Sequence, residues 1–158
     1  MEEQTELSSE PPPEPNVTIE CDESIDVAWL ETKVNEALVC LSKEPSCISV
    51  AVVDDKTMSA LHAKHSKVEG TTDVLTFDHG SDGDKVDADI VVCIDVATRA
   101  ATERGHSVES ELLLYIVHGI LHCIGFDDHS DDENSRMHQE EDRVLQAIGV
   151  GAIWSTSS

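Results

Sequence analysis

The chain has 158 residues, about one ordinary domain, and 33 acidic against 10 basic side chains leave it a net charge of −23. That balance argues against broad, sequence-blind affinity for nucleic acid, which needs a basic footprint facing phosphate, although a local patch or a bound dication could still receive one. With 39% hydrophobic but only 3% aromatic residues the core must be aliphatic, and no apolar run reaches the ~18 residues that span a bilayer.

Residues 1–15 carry four of the five prolines and five glutamates, and read as a disordered acidic extension. Without them the charge is still −18. The acidic start lacks the basic region of a secretory signal, so a cytoplasmic protein is expected. The five cysteines, at 21, 40, 47, 93 and 123, form no C-x-x-C pair. Three of them (Cys40, Cys93, Cys123) lie in apolar segments, so reduced and mostly buried thiols are expected.

The folded part is expected over residues 16–150. Alternation predicts a strand at 16–21, with Val17 and Ile19 on one side. Val27, Leu30, Val34, Leu38 and Leu41 recur at three and four, which predicts an amphipathic helix over 26–42. Residues 47–53 are β-branched and nearly all apolar, the pattern of a strand covered on both faces. Asp54 or Asp55 can cap a short helix through His65. A strand at 72–77, a polar glycine loop at 79–85 and a strand at 89–96 follow, then a helix at 97–104 that Gly105 stops. Ser107 can cap the next helix, with Glu109 and Glu111 near its positive end. Asp131 or Asp132 can cap a last helix through Ile148, with Met137, Val144, Leu145 and Ile148 as its buried stripe. Residues 151–158 read as a frayed C-terminal tail. The order β-α-β-α-β-β-α-α-α predicts a single α+β domain: a four-stranded mixed sheet packed with helices.

The chemistry concentrates in residues 118–129, His-Gly-Ile-Leu-His-Cys-Ile-Gly-Phe-Asp-Asp-His. On a helix, His118 and His122 stand one turn apart on one face, where two ring nitrogens can grip one metal ion. Gly125 ends the helix, and His129 follows closely enough to swing back as a third ligand. Three nitrogens with a fourth position open is the pattern of a catalytic zinc site. Nickel, cobalt or copper would also bind such a set. The helix is apolar around most of its circumference, so it should be central and buried. A zinc-bound water loses its proton near pH 7, which would supply a nucleophile.

Peptidases of the H-E-x-x-H type have a glutamate after the first histidine as general base; here that residue is Gly119, so amide hydrolysis is disfavoured. Asp127 and Asp128 could act as base, as partners behind a ligand or as ligands, or could simply make a turn. Thr72-Asp73 before an apolar strand is ordinary turn chemistry. Cys123 is one residue past His122 and should point away from the ligand face into the core. Lys64, His65 and Lys67, with His62, form the densest basic cluster and the best local candidate for phosphate contact. His79, His106 and His138 stand singly in polar contexts and are given no role.

The run His118-Gly119-x-Leu121-His122-x-x-Gly125-Phe126-Asp127, followed by a histidine, is similar to the signature of the YbeY family. Residues 72–77, Thr-Asp-Val-Leu-Thr-Phe, resemble that family's T-D-V-L-S-F strand. Residues 89–93, Asp-Ile-Val-Val-Cys, resemble its G-D-I-V-I-C strand, with Ala88 where glycine is common. The resemblance covers residues 16–150. It implies a mixed α+β domain and a zinc-dependent, single-strand endoribonuclease active in ribosomal RNA maturation and ribosome quality control. It also implies one Zn2+ per chain, ribosomal RNA and the ribosome or small-subunit precursor as partners, and no membrane. The chain departs from the pattern twice. It has two aspartates before the last histidine where the family commonly has one, which leaves His129 as third ligand with Asp128 as substitute. The arginine that the family usually carries upstream of T-D-V-L falls here at Ser66, and no arginine precedes residue 99. A non-catalytic ribosome assembly factor with a structural metal, and a hydrolase of a small ester or amide, are the rival expectations.

Overall fold

The structure is a computed structural model, and it describes residues 16–21, 24–41, 46–66, 73–81, 84–126, 130–151 and 153. In chain order it has β1 (Asn16–Cys21), α1 (Val27–Leu41), β2 (Cys47–Val53), α2 (Asp55–Ser66), β3 (Val74–Asp78), β4 (Asp87–Cys93), α3 (Ile94–Arg104), α4 (Val108–Cys123) and α5 (Asp131–Ala147). The sheet order is β1-β2-β4-β3. β1, β2 and β4 run parallel, and β3 returns antiparallel along β4 with Thr76 opposite Ile90. This is the mixed sheet of a single α+β domain.

Alternation along the strands gives the two faces different jobs. Ile19, Ile48, Val50, Val52, Ala88, Ile90 and Val92 join the large core with α1, α4 and α5. Val91 and Cys93 face the other way, with Leu75, Phe77, Ala51 and Val53, and meet Met58 and Leu61 of α2 in a smaller cluster. The expectation that β2 is covered on both faces fails at its start, where Cys47 and Ser49 are exposed; the cluster under α2 takes in only Ala51 and Val53 of this strand.

α4 is the buried centre. Leu112, Leu113, Ile116, Ile120 and Leu121 are fully buried, each contributing up to about 1.5–3 kcal/mol of transfer free energy. Ser107 caps it by accepting from Ser110 N–H. Glu111, also fully buried, is not left as a lone charge. Arg104 Nη1 donates to it at 2.9 Å and His106 pairs with its other oxygen, so His106 anchors the α3–α4 corner. The helix stops as Gly125 takes φ +110°. Gly125 N–H then donates to His122 O and Phe126 N–H to Leu121 O, the paired bonds of a glycine-ended helix.

The sequence reading is corrected where β4 ends, at the cap of α5 and in the C-terminal tail, and at α2 the structure decides between the two caps it offered. β4 ends at Cys93, and Ile94, Asp95 and Val96 already belong to α3: tertiary packing overrides the β preference of this run, with Ile94 and Val96 turned to the core. The α2 cap is Asp54, whose Oδ1 accepts from Thr57 N–H at 2.8 Å. The α5 cap is Ser130, not Asp131 or Asp132. It forms a full capping box with Glu133. Ile153, in the expected tail, is buried, and its N–H donates to Asp142 Oδ1 at 2.8 Å. Among the described residues no helix is long and apolar enough to cross a membrane.

Candidate metal centre and cleft

His118 and His122 do share a face of α4. Their Nε2 atoms stand 3.1 Å apart with the rings edge-on at 84°. Two nitrogens held about 2.0–2.1 Å from one zinc stand roughly 3.3 Å apart at the tetrahedral angle, so the pair fits one ion. The other side of His118 is fixed by α5. Its Nδ1 donates to Glu141 Oε2 at 2.6 Å, and Glu141 is 1% exposed. An ionised carboxylate only accepts, so the proton sits on Nδ1 and the Nε2 lone pair faces the cavity. Glu141 Oε1 takes His138 Nδ1 at 3.1 Å. His138 thus has a place behind the pair, which its single position in sequence did not suggest.

The sequence reading missed Glu141, although a signal existed. It lies four residues after Met137 and three before Val144, on the buried stripe of α5, where a charge needs a partner. Glu141→Gln keeps the shape but leaves two imidazole N–H groups one amide oxygen. It is expected to weaken zinc binding about ten- to a hundredfold, measured by competition with a chromophoric chelator.

The two histidines open into a cavity of about 420 Å³ that is also lined by β3 and the residue before it: Asp73, Val74, Thr76 and Asp78. Asp73 and the strand it leads into therefore line the cavity, and Asp73 is more than a turn residue. Burial holds the Asp73 carboxyl above the usual carboxylate range; the His118 ring opposes this and Glu141 adds to it. Asp78 is held below that range by the N–H groups of Ser81 and Gly80, so it stays charged. Among the described lining residues there is no lysine or arginine.

Cys123 is buried in the core cluster as expected, but it also lines this cavity. Burial pushes its thiol up to about 11 and raises that of Cys93, whereas Cys40 and Cys47 are exposed. Cys40 is thus a correction to the reading of buried thiols: it sits on the outer face of α1. At pH 8 roughly a thousandth of Cys123 is thiolate. Iodoacetamide is expected to modify Cys40 and Cys47 first and Cys93 and Cys123 last, as read by peptide mass mapping.

Lys64 is exposed on α2, the helix that packs on the other face of the sheet. The side chain of His65, and Lys67, Asp127, Asp128 and His129, lie outside the described residues. A second group, Asp55, Cys93 and Asp95, brings ligand atoms within 4.8 Å of one another. Three of its oxygens are already engaged: Arg99 grips both oxygens of Asp55, and Asp95 Oδ2 accepts from Asp55 N–H.

A sequence profile described as Endoribonuclease YbeY matches residues 16–149. The chain belongs to the YbeY family. An Endoribonuclease YbeY of Heliobacterium modesticaldum is 31% identical over 149 residues, 83% of this chain and 90% of the relative. One from Caldicellulosiruptor bescii is 32% identical over 145 residues, covering 84% and 92%. The solution structure of a Thermotoga maritima protein aligns with a TM-score of 0.63 at 26% identity, over 84% of this chain and 88% of that one. The YbeY match spans β1 to α5, so the sheet, the histidine helix and Glu141 all lie inside it.

Proposed function

We propose that this YbeY-family chain is a zinc-dependent endoribonuclease that cuts single-stranded RNA in ribosomal RNA maturation and ribosome quality control, in the cytoplasm. Family membership makes it a nuclease, a hydrolase acting on RNA. The observation that carries the metal reading is the Nε2 pair at 3.1 Å with the buried Glu141 behind it. His118 and His122 would hold one zinc per chain together with His129, or with Asp128 in its place. When bound, the ion would polarise a phosphate oxygen and acidify a water, as metals do in hydrolases.

The remaining chemistry belongs to the chain. Glu141 keeps the His118 proton on Nδ1 and fixes the ring. Asp127, Asp128 or Asp73 can receive the proton of the attacking group, Asp73 from the β3 wall. The cavity, about 420 Å³, suits one unpaired nucleotide with its phosphate better than a stacked duplex. Asp73 and Asp78 repel phosphate, and no lysine or arginine lines the cavity among the described residues. Within this cavity the positive charge that meets the phosphate would come from the ion, so activity is expected to depend on the metal.

The same lack of cationic side chains is what favours a second reading, a non-catalytic assembly factor whose metal completes the fold. Chelation separates the two. Zinc-loaded protein is expected to cleave single-stranded ribosomal RNA, to stop after EDTA treatment and to resume as zinc is restored one to one, with circular dichroism little changed. Unfolding on chelation, with no cleavage at any zinc level, would select the assembly factor.

A further inference from the structure

A second hollow, of about 300 Å³, lies at the turn after α4. Ile124, Gly125 and Phe126 wall it from the turn after α4, and Glu133 and Arg136 from the first turns of α5. The first cavity ends at His122 and Cys123, and the second begins at the next residue. Both therefore reach the C-terminal end of α4. Glu133 spends a carboxylate oxygen on Ser130 N–H at 3.2 Å. The other three arginines each grip a carboxylate: Arg99 on Asp55, Arg104 on Glu111 and Arg143 on Glu140. Arg136 is exposed and lines the hollow with Phe126, which is half-buried against the core.

We infer that this hollow is a nucleotide subsite, in which Arg136 grips a backbone phosphate next to the cleaved one and Phe126 carries that nucleotide's base. The inference rests on the reading of the chain as an RNA-cleaving enzyme and deepens it. A guanidinium presents a flat fork of donors that matches two phosphate oxygens. An aromatic face accepts any base, which suits a single strand without sequence preference. The arginine stands on a surface whose net charge is strongly negative, so it contributes a local grip on one phosphate and no long-range steering field.

The test is binding of a fluorescent single-stranded oligoribonucleotide to zinc-loaded protein across a salt series, with cleavage kinetics on the same samples. Arg136→Ala is expected to weaken binding about tenfold and to lower the slope of log affinity against log salt by about 0.7, one phosphate contact on a single strand. KM rises with little change in kcat, because the contact is made equally before and during reaction. Arg136→Lys regains the slope and part of the affinity. If Arg136→Ala keeps the wild-type slope and KM while the wild type cleaves, the subsite is wrong and the enzyme reading stands. Equal losses in both variants with the slope unchanged would mark Arg136 as structural and also overturn it. A wild type that neither binds nor cleaves removes the enzyme reading and the subsite with it.

Discussion

His122→Ala is expected to abolish RNA cleavage, by about a thousandfold or more, and to lower zinc content below one per chain. The size follows from the charge at the site. Described residues of the cavity contribute Asp73 and Asp78 but no lysine or arginine, so losing the ion removes the electrophile and the positive charge that meets the phosphate in this cavity. Several kcal/mol of transition-state stabilisation rest on such an ion, and each 1.36 kcal/mol is tenfold in rate. The fold is expected to survive. His122 is partly exposed, its hydrogen-bonding neighbour His118 keeps Glu141, and alanine is the best helix former. Cleavage that persists unchanged in His122→Ala, prepared identically and assayed beside wild type, would mean either a contaminating nuclease or an active centre elsewhere.

The order of elements was legible because each carries its own periodicity. The heavily apolar α4 announces its burial, and Gly125 its end. The histidine pair was legible because i, i+4 spacing needs no tertiary information. Glu141 and Asp73 were not, for a physical reason: both act across space, one 23 residues from His118, the other from the residue before β3 on another wall of the cavity. Nothing local tells a buried glutamate from a solvated one except its place on an apolar stripe. Asp73 has an adequate local explanation as a turn residue, which hid the second one. The β4–α3 boundary failed because Ile94-Asp95-Val96 is locally good strand, and only the packing of α3 against the core makes it helix.

Gly119 sets the second large effect. α4 crosses the β3–β4 pair so closely that a Cβ at Gly119 would stand 2.6 Å from Thr76 Oγ1 and 3.1 Å from Ile90 Cδ1. Alanine there gains about 1 kcal/mol of helix preference over glycine, but overpacking costs about 1–3 kcal/mol. Thr76 is β-branched and stiff at χ1, and Ile90 is fully buried, so neither yields cheaply and the overpacking wins. Gly119→Ala is expected to be destabilising by about 1 kcal/mol. Gly119→Glu must also bury a carboxylate against apolar Ile90, and is expected to lose several kcal/mol or fail to fold. Urea melts of Gly119→Ala in wild-type and Thr76→Ala backgrounds check the cause: the cost should shrink once Oγ1 is gone. An equal cost in both backgrounds would place the strain elsewhere. The clash explains the missing glutamate in physical terms. In an H-E-x-x-H peptidase the residue after the first histidine carries the base. Here that face of the helix is pressed on the sheet, so a base must reach the site from β3 or from the turn after α4.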